Sequence, residues 1–241
     1  MILAVMPPQD VSSNVMIALR WIHFVVGILW VGMLYFFNLV SAKFLPTLDA
    51  STRSRIYPGL MSRALFWFRW ASVLTVLVGI TYWMHIASQD AHNAHASPGR
   101  VFWTFFLLWT LAFVVEMAVL MAPAPALHRI EIVLPVALAA CAIAAWCYVS
   151  TNSQGWESNR VLCIGIGGGL GWFMMFNVWG LIWRVQKKVI AFHTETPGGA
   201  MPEKLAEMAK VAAVASRVNF FLSFPMLFLM AAASHAPYRL A

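Results

Sequence analysis

Apolar runs of about 20 residues recur along the whole chain, and this feature constrains the fold more than any other. Each run is long enough to cross a hydrocarbon layer about 30 Å thick as an α-helix. A helix in lipid satisfies its own backbone hydrogen bonds, so we predict an all-α integral membrane bundle. The composition agrees with this prediction, because 61% of the 241 residues are apolar and only 10% are charged.

Six of these runs are predicted to be transmembrane helices of a single domain that covers residues 1–241. Their predicted limits are Asn14–Val40, Ala64–Ser88, Val101–Ala122, Ile130–Val149, Val161–Trp183 and Val211–Ala233. The polar segment Ala191–Met201 is predicted to be a loop, after which Pro202 opens an amphipathic helix at Glu203 that runs into the sixth span. Met1–Asp10 has no basic residue, so we expect the first helix to be retained rather than cleaved as a signal peptide.

Lysine and arginine are distributed unevenly between the two ends of the predicted helices. One end carries Lys43, Arg53, Arg55, Arg63, Arg129, Arg184, Lys187, Lys188, Lys204 and Lys210. The other end carries Arg20, Arg100, Arg160 and Arg239. Because basic loops stay in the cytoplasm, this bias predicts that both termini lie outside, an N-out/C-out topology. Orientation in the bilayer thus explains the net charge of +7, and no nucleic acid is expected as a partner.

Histidines gather at the predicted outer end of the bundle. His23 lies about one helical turn below Arg20, and His85 lies at a similar depth on the second helix, which runs in the opposite direction. Neutral imidazole binds haem iron and copper, and two helices that face each other at one depth can hold a porphyrin. We therefore predict haem b with His23 and His85 as iron ligands, and His235 as the rival for the second position. A copper site is the alternative, with ligands from His85, His92, His95 and His235.

Glu116 is an acidic residue inside the third predicted span, toward its cytoplasmic end. A carboxyl group at this depth must be paired, be protonated or face a cavity. Two interpretations stay open: Glu116 belongs to a proton path, or it is the structural partner of a loop arginine or lysine.

The fifth predicted helix contains four glycines with small-xxx-small spacing. They are Gly165, Gly167, Gly169 and Gly171. This spacing predicts a close approach of neighbouring helices. A flat glycine surface for a porphyrin or a quinone is the alternative. A dinucleotide-binding loop is excluded, because no strand precedes these glycines.

Three segments carry a family resemblance. The first begins with Arg20-Trp-Ile-His23 and continues with Gly27, Trp30, Gly32 and Tyr35-Phe-Phe. The second is Asn177-Val-Trp-Gly-Leu-Ile-Trp-Arg-Val-Gln-Lys-Lys-Val189. The third is Phe224-Pro-Met-Leu-Phe-Leu-Met230 with Ser234-His235-Ala-Pro237. Together they resemble the membrane domain of the bacterial urate hydroxylase (urate oxidase N-terminal) family.

This resemblance implies a multi-pass protein of the bacterial inner membrane, and it carries over His23 and His235. Members of the family combine the membrane domain with a cytochrome c domain, whereas these 241 residues contain no CxxCH motif. The chain also departs from the family at three positions. Before the asparagine of helix five it has glycines where the family has a histidine. Val218 replaces the histidine of the last helix, and Arg184 replaces a proline. The first-helix pattern is also loosely similar to membrane haem proteins such as a protoporphyrinogen oxidase family, which implies haem b.

Three hypotheses about function follow. The leading one is a membrane-embedded redox subunit that binds haem b and passes electrons between a periplasmic cytochrome c and other membrane subunits of a respiratory or oxidoreductase complex. The second is a cofactor-free structural subunit of such a complex. The third is a urate-oxidising membrane enzyme. Hydrolytic chemistry has no support, because the sequence contains no nucleophile elbow, P-loop or HExxH motif.

Overall fold

The computed structural model describes residues 10–234, and this part of the chain is almost entirely helical and contains no strand. Its long helices are α1 (Val11–Tyr35), α2 (Ala50–Asn93), α3 (Gly99–Leu120), α4 (Ile130–Thr151), α5 (Asn159–Asn177), α6 (Trp183–Glu195) and α7 (Glu203–Ala232). Two π-helical segments, Phe36–Ser41 and Val178–Ile182, interrupt the regular helices. Shorter turns are Ala42–Phe44 and the 3-10 helices Leu45–Thr47 and Pro125–His128.

Six helical segments are long and apolar enough to cross a membrane, which confirms the predicted six-helix bundle of a multi-pass membrane protein. The first span continues from α1 to Thr47, and the fifth span joins α5, the segment Val178–Ile182 and α6. Consecutive spans alternate in direction. We call the end with connections 45–49, 121–129 and 196–202 the basic end, and the other end the opposite end.

The predicted helix limits are too short at the basic end. Helix α2 begins at Ala50 rather than Ala64, and α6 ends at Glu195, inside the segment predicted to be a loop. Hydropathy detects only the length that crosses lipid, whereas a polar helix continues into water as long as it packs and is capped. Asp49 caps α2, and hydrogen bonds from Thr52 and then Ser51 hold the pKa of its carboxyl well below the usual range. The predicted helix start at Glu203 is confirmed.

The extended parts of α2 and α6 pack against each other at the basic end. The Tyr57 hydroxyl donates to Gln186 Oε1 at 2.6 Å, and Ser54 Oγ hydrogen-bonds to His193 Nδ1 at 3.2 Å. Ser54 Oγ also accepts from the backbone N–H of Gly198 at 2.9 Å. These polar contacts hold together a helical layer next to the apolar part of the bundle.

Helix α5 lies in the middle of the bundle, and most of its residues are buried. It packs against α2, α3 and α7, while α1 packs mainly against α2 and α3 packs mainly against α4. Large apolar side chains such as Trp21, Ile28, Trp103 and Ile143 are exposed on the outer spans. In a bilayer these side chains face lipid, whereas the buried core lies between the helices.

The N-out/C-out orientation stays a prediction, because it depends on the positive-inside rule. A reporter enzyme fused after Ala241 is expected to be active in the periplasm, whereas one inserted near Thr196 is expected to be active in the cytoplasm. The reverse pattern would show that the basic end faces outward.

Candidate functional site

His23 lies in a notch on helix α2. Its Nδ1 donates a hydrogen bond to the backbone carbonyl of Thr75 at 2.8 Å, and its ring lies against Gly79. A Cβ atom at position 79 would lie 2.7 Å from Cε1 of the imidazole and 2.9 Å from Nδ1. Only a glycine therefore leaves room for this ring, which is half-buried between α1 and α2.

The notch fixes which nitrogen of His23 is free to bind a ligand. Because a carbonyl oxygen only accepts, the bond to Thr75 places the proton on Nδ1 and leaves a lone pair on Nε2. Nε2 is 3.7 Å from the same hypothetical Cβ, so this edge of the ring points away from Gly79. Within residues 10–234 nothing hydrogen-bonds to Nε2. Metal-binding histidines commonly have this arrangement, in which a backbone carbonyl orients the ring.

The structure does not bring His85 together with His23. His85 lies on α2 itself, six residues beyond Gly79, which corresponds to about 9 Å along the helix axis and about a third of a turn around it. His85 therefore lies at a different depth from the point where His23 contacts α2, and on a different face of α2. The pairing of the two residues as iron ligands stays a prediction.

The other outer histidines do not form a compact ligand set. His92 and His95 are exposed where α2 ends, and His235 lies outside the described residues. Within the described part of the chain, no group of three or more histidine, cysteine, aspartate or glutamate side chains could hold a metal ion. The copper alternative thus has no assembled ligand set among residues 10–234.

A second polar site is fully buried toward the basic end of the bundle. Its members are Glu116 on α3, Asn177 at the end of α5 and Asn219 on α7, each with no exposed surface. The Asn177 amide donates to Glu116 Oε2 at 2.8 Å and to Asn219 Oδ1 at 2.9 Å. Asn219 in turn donates to the backbone carbonyl of Met174 at 2.9 Å. The three side chains therefore link three spans, and we call them the Glu116 cluster.

The hydrogen-bond partner of Glu116 is an asparagine and not a lysine or arginine. Among residues 10–234, the ion pair with a nitrogen–oxygen distance below 4 Å is that of Arg129 with Glu131, and both side chains are exposed. Two buried acceptors of the Glu116 cluster have no donor in the described structure, namely Glu116 Oε1 and Asn177 Oδ1. Asn177 and Asn219 are rare polar residues on apolar helices, and the sequence predicts hydrogen bonds between helices for both, but it does not indicate that Glu116 is their partner.

The glycines of α5 lie against side chains as well as against the backbone of a neighbouring helix. The Trp109 indole fills the space beside Gly169, and the Tyr148 hydroxyl group fills the space beside Gly165. At Gly167 a Cβ would lie 3.3 Å from the backbone oxygen of Met226, so α7 approaches closely there. At Gly171 the nearest atom would be 3.8 Å away, which is ordinary contact.

A half-buried arginine near the basic end was missed by sequence analysis. The Arg69 guanidinium lies 3.8 Å from the ring centroid of Trp183 and 5.9 Å from those of Trp70 and Trp179. These contacts are cation–π interactions, which stabilise a charge near the headgroup region. The available signal was Trp70 beside Arg69, together with Trp179 and Trp183 four residues apart, but these tryptophans are equally typical of interfacial anchors.

Comparisons with protein-family models, with curated proteins and with solved structures found no match to this chain.

Proposed function

We propose that this chain is a membrane-embedded redox subunit that binds a b-type haem through His23. The observation that carries the proposal is the hydrogen bond from His23 Nδ1 to the Thr75 carbonyl, which leaves Nε2 as the free ligand nitrogen. Haem b would supply one-electron transfer within the bilayer. The residues fit such a group in one respect: the ring is oriented by the backbone, and its free edge points away from α2.

A low-spin haem also requires a second ligand. If haem were bound, His23 would offer Nε2 as a ligand nitrogen from α1, and a second histidine would be needed to complete a low-spin site. His85 belongs to α2, whereas His235 lies outside the described residues. The proposal therefore keeps His85 as the predicted second ligand and His235 as its rival.

Electron exchange in this proposal takes place with a periplasmic cytochrome c and with other subunits in the membrane. The position of His23 supports it, since this residue lies nearer the opposite end, which the positive-inside rule places outside. The exposed apolar surface of the outer spans is available to lipid and to further membrane subunits.

Absorption spectra of the purified protein test the proposal. The wild type is expected to show a reducible Soret band and α band, and His23→Ala is expected to lose low-spin haem because lipid offers no replacement ligand. His92→Ala is the matched control, since His92 is exposed at the helix end, and its spectrum is expected to stay unchanged. A low-spin spectrum in His23→Ala would refute the site.

A second pair of variants tests the notch without removing the histidine. Gly79→Ala introduces a Cβ 2.7 Å from the His23 ring, so the imidazole must move and the haem spectrum is expected to change. Gly32→Ala is its control, because a Cβ at Gly32 meets nothing within 4 Å. A wild-type protein without haem bands would instead favour the cofactor-free structural subunit. Urate consumption by membranes that contain the protein would favour the enzyme.

A further inference from the structure

The Glu116 cluster contains an ionisable carboxyl group that has no role in the proposed electron transfer at His23. Glu116 lies four residues before the end of α3, which places it about 6 Å along the helix from the basic end. All three side chains of the cluster are fully buried. An ionisable group at such a position is costly and is a functional candidate by default.

The hydrogen bonds of the Glu116 cluster reveal a missing donor. The amide N–H groups of Asn177 donate to Glu116 and to Asn219. The amide of Asn219 donates to the backbone carbonyl of Met174. Glu116 Oε1 and Asn177 Oδ1 then remain as buried acceptors without a donor in the described structure. Because an unpaired buried polar atom destabilises a folded protein, a donor at this point stabilises the bundle. A proton on the Glu116 carboxyl supplies one without any other change.

The surroundings of Glu116 provide no compensating charge. Helix α4 contributes the buried thiol of Cys141, and the 3-10 helix contributes His128, whose ring nitrogen Nε2 hydrogen-bonds to the Ala122 carbonyl. Helix α7 contributes the half-buried Arg217 in a groove shared with Glu131, without an ion pair to Glu116. Helix α5 has only Arg160 and Cys163, both near its far end, and Val178–Ile182 has no titratable residue. A bare carboxylate would therefore be uncompensated.

We propose that Glu116, Asn177 and Asn219 form a proton-binding site within the membrane. A proton from water at the basic end adds to the Glu116 carboxylate, and the reverse step returns it to water, with no change in oxidation state. Asn177 holds the carboxyl through Oε2 and leaves Oε1 for the proton. This site is independent of the haem proposal, because it requires neither His23 nor a cofactor.

Infrared spectroscopy of the purified, reconstituted full chain tests this proposal directly. The wild type is expected to show a carbonyl-stretch band of a protonated carboxylic acid at neutral pH. This band is expected to shift in D₂O and to decline as the pH is raised. Glu116→Gln, which is close in shape, is expected to lose the band. Glu131→Gln is the matched control, because this carboxyl is exposed at the same end and is expected to leave the band unchanged.

If Glu116→Gln does not yield folded protein, Glu116→Asp replaces it, and a displaced band frequency would support the assignment. The proposal is overturned if the wild type has no such band, if the band persists in Glu116→Gln, or if it does not exchange in D₂O. It is also overturned if Na⁺ removes the band and raises the thermal stability, since the cluster would then be a metal-cation site. None of these outcomes depends on the visible spectrum that tests His23.

Discussion

Gly169→Leu is expected to abolish assembly of the bundle, and even Gly169→Ala is expected to reduce the yield and melting temperature markedly. The indole of Trp109, which is fully buried, occupies the space that a Cβ at position 169 would fill. Overpacking typically costs about 1 to 3 kcal/mol of stability. Because the indole is rigid and enclosed by other residues, the cost at position 169 is expected to reach or exceed the upper end of this range. Detergent-solubilised yield, size-exclusion profile and thermal unfolding measure the effect.

Gly171→Ala is the matched control on the same helix. A Cβ there would lie 3.8 Å from the sulfur of Met226 and 3.9 Å from Val76, so no neighbour has to move. Its melting temperature is expected to stay close to that of the wild type. Equal losses in Gly169→Ala and Gly171→Ala would contradict this prediction, because alanine favours the helix at both positions and only position 169 faces the Trp109 indole.

The glycine pattern illustrates what spacing predicts and what it does not. Small residues four apart identified a helix with close neighbours, and Gly167 does lie near the backbone of α7. The spacing does not specify which residue fills the opposite space. At Gly165 and Gly169 it is a large side chain, Tyr148 or Trp109, that lies against α5. This contact depends on the register between helices, which a single sequence does not encode locally.

The membrane fold was predictable because hydropathy acts on each segment separately. Six apolar runs had to become six spanning helices, whatever their mutual packing. The layer at the basic end was not predictable in this way. It is stabilised by pairs such as Tyr57 with Gln186 and Ser54 with His193, which lie more than 100 residues apart in sequence. The π-helical segments were likewise missed, because no proline marks them.

The histidine site was only partly predictable for a related reason. Topology gave an approximate depth for His23 and His85, but depth from sequence carries an uncertainty of several residues. The partner that orients His23 is a backbone carbonyl, and every residue has one, so Thr75 has no signature in the sequence. The angular position of His85 around α2 was calculable from helical periodicity only after Gly79 was known to face α1.

Asn177→Leu is expected to destabilise the bundle strongly, because one amide satisfies two buried acceptors. Without it, Glu116 Oε2 and Asn219 Oδ1 both lose their donor in a region without exposed surface. At about 1 to 3 kcal/mol for each unsatisfied group, the expected loss is roughly 2 to 6 kcal/mol. Thermal or denaturant unfolding in detergent measures this loss as a large drop in the transition midpoint.

A double-mutant cycle separates this effect from the loss of packing. Replacing both hydrogen-bond partners by apolar groups costs much less than removing one, so Asn177→Leu combined with Glu116→Leu is expected to recover part of the stability lost in Asn177→Leu alone. The Asn219 acceptor stays unsatisfied in the double variant, which limits the recovery. Strictly additive losses would mean that Glu116 and Asn177 do not interact in the folded protein, and the Glu116 cluster would then lose its energetic basis. A positive coupling energy between Glu116 and Asn177, measured in lipid as well as in detergent, would assign the stabilisation to the hydrogen bond itself. Neither environment contains a donor that could replace Asn177 beside the carboxyl group.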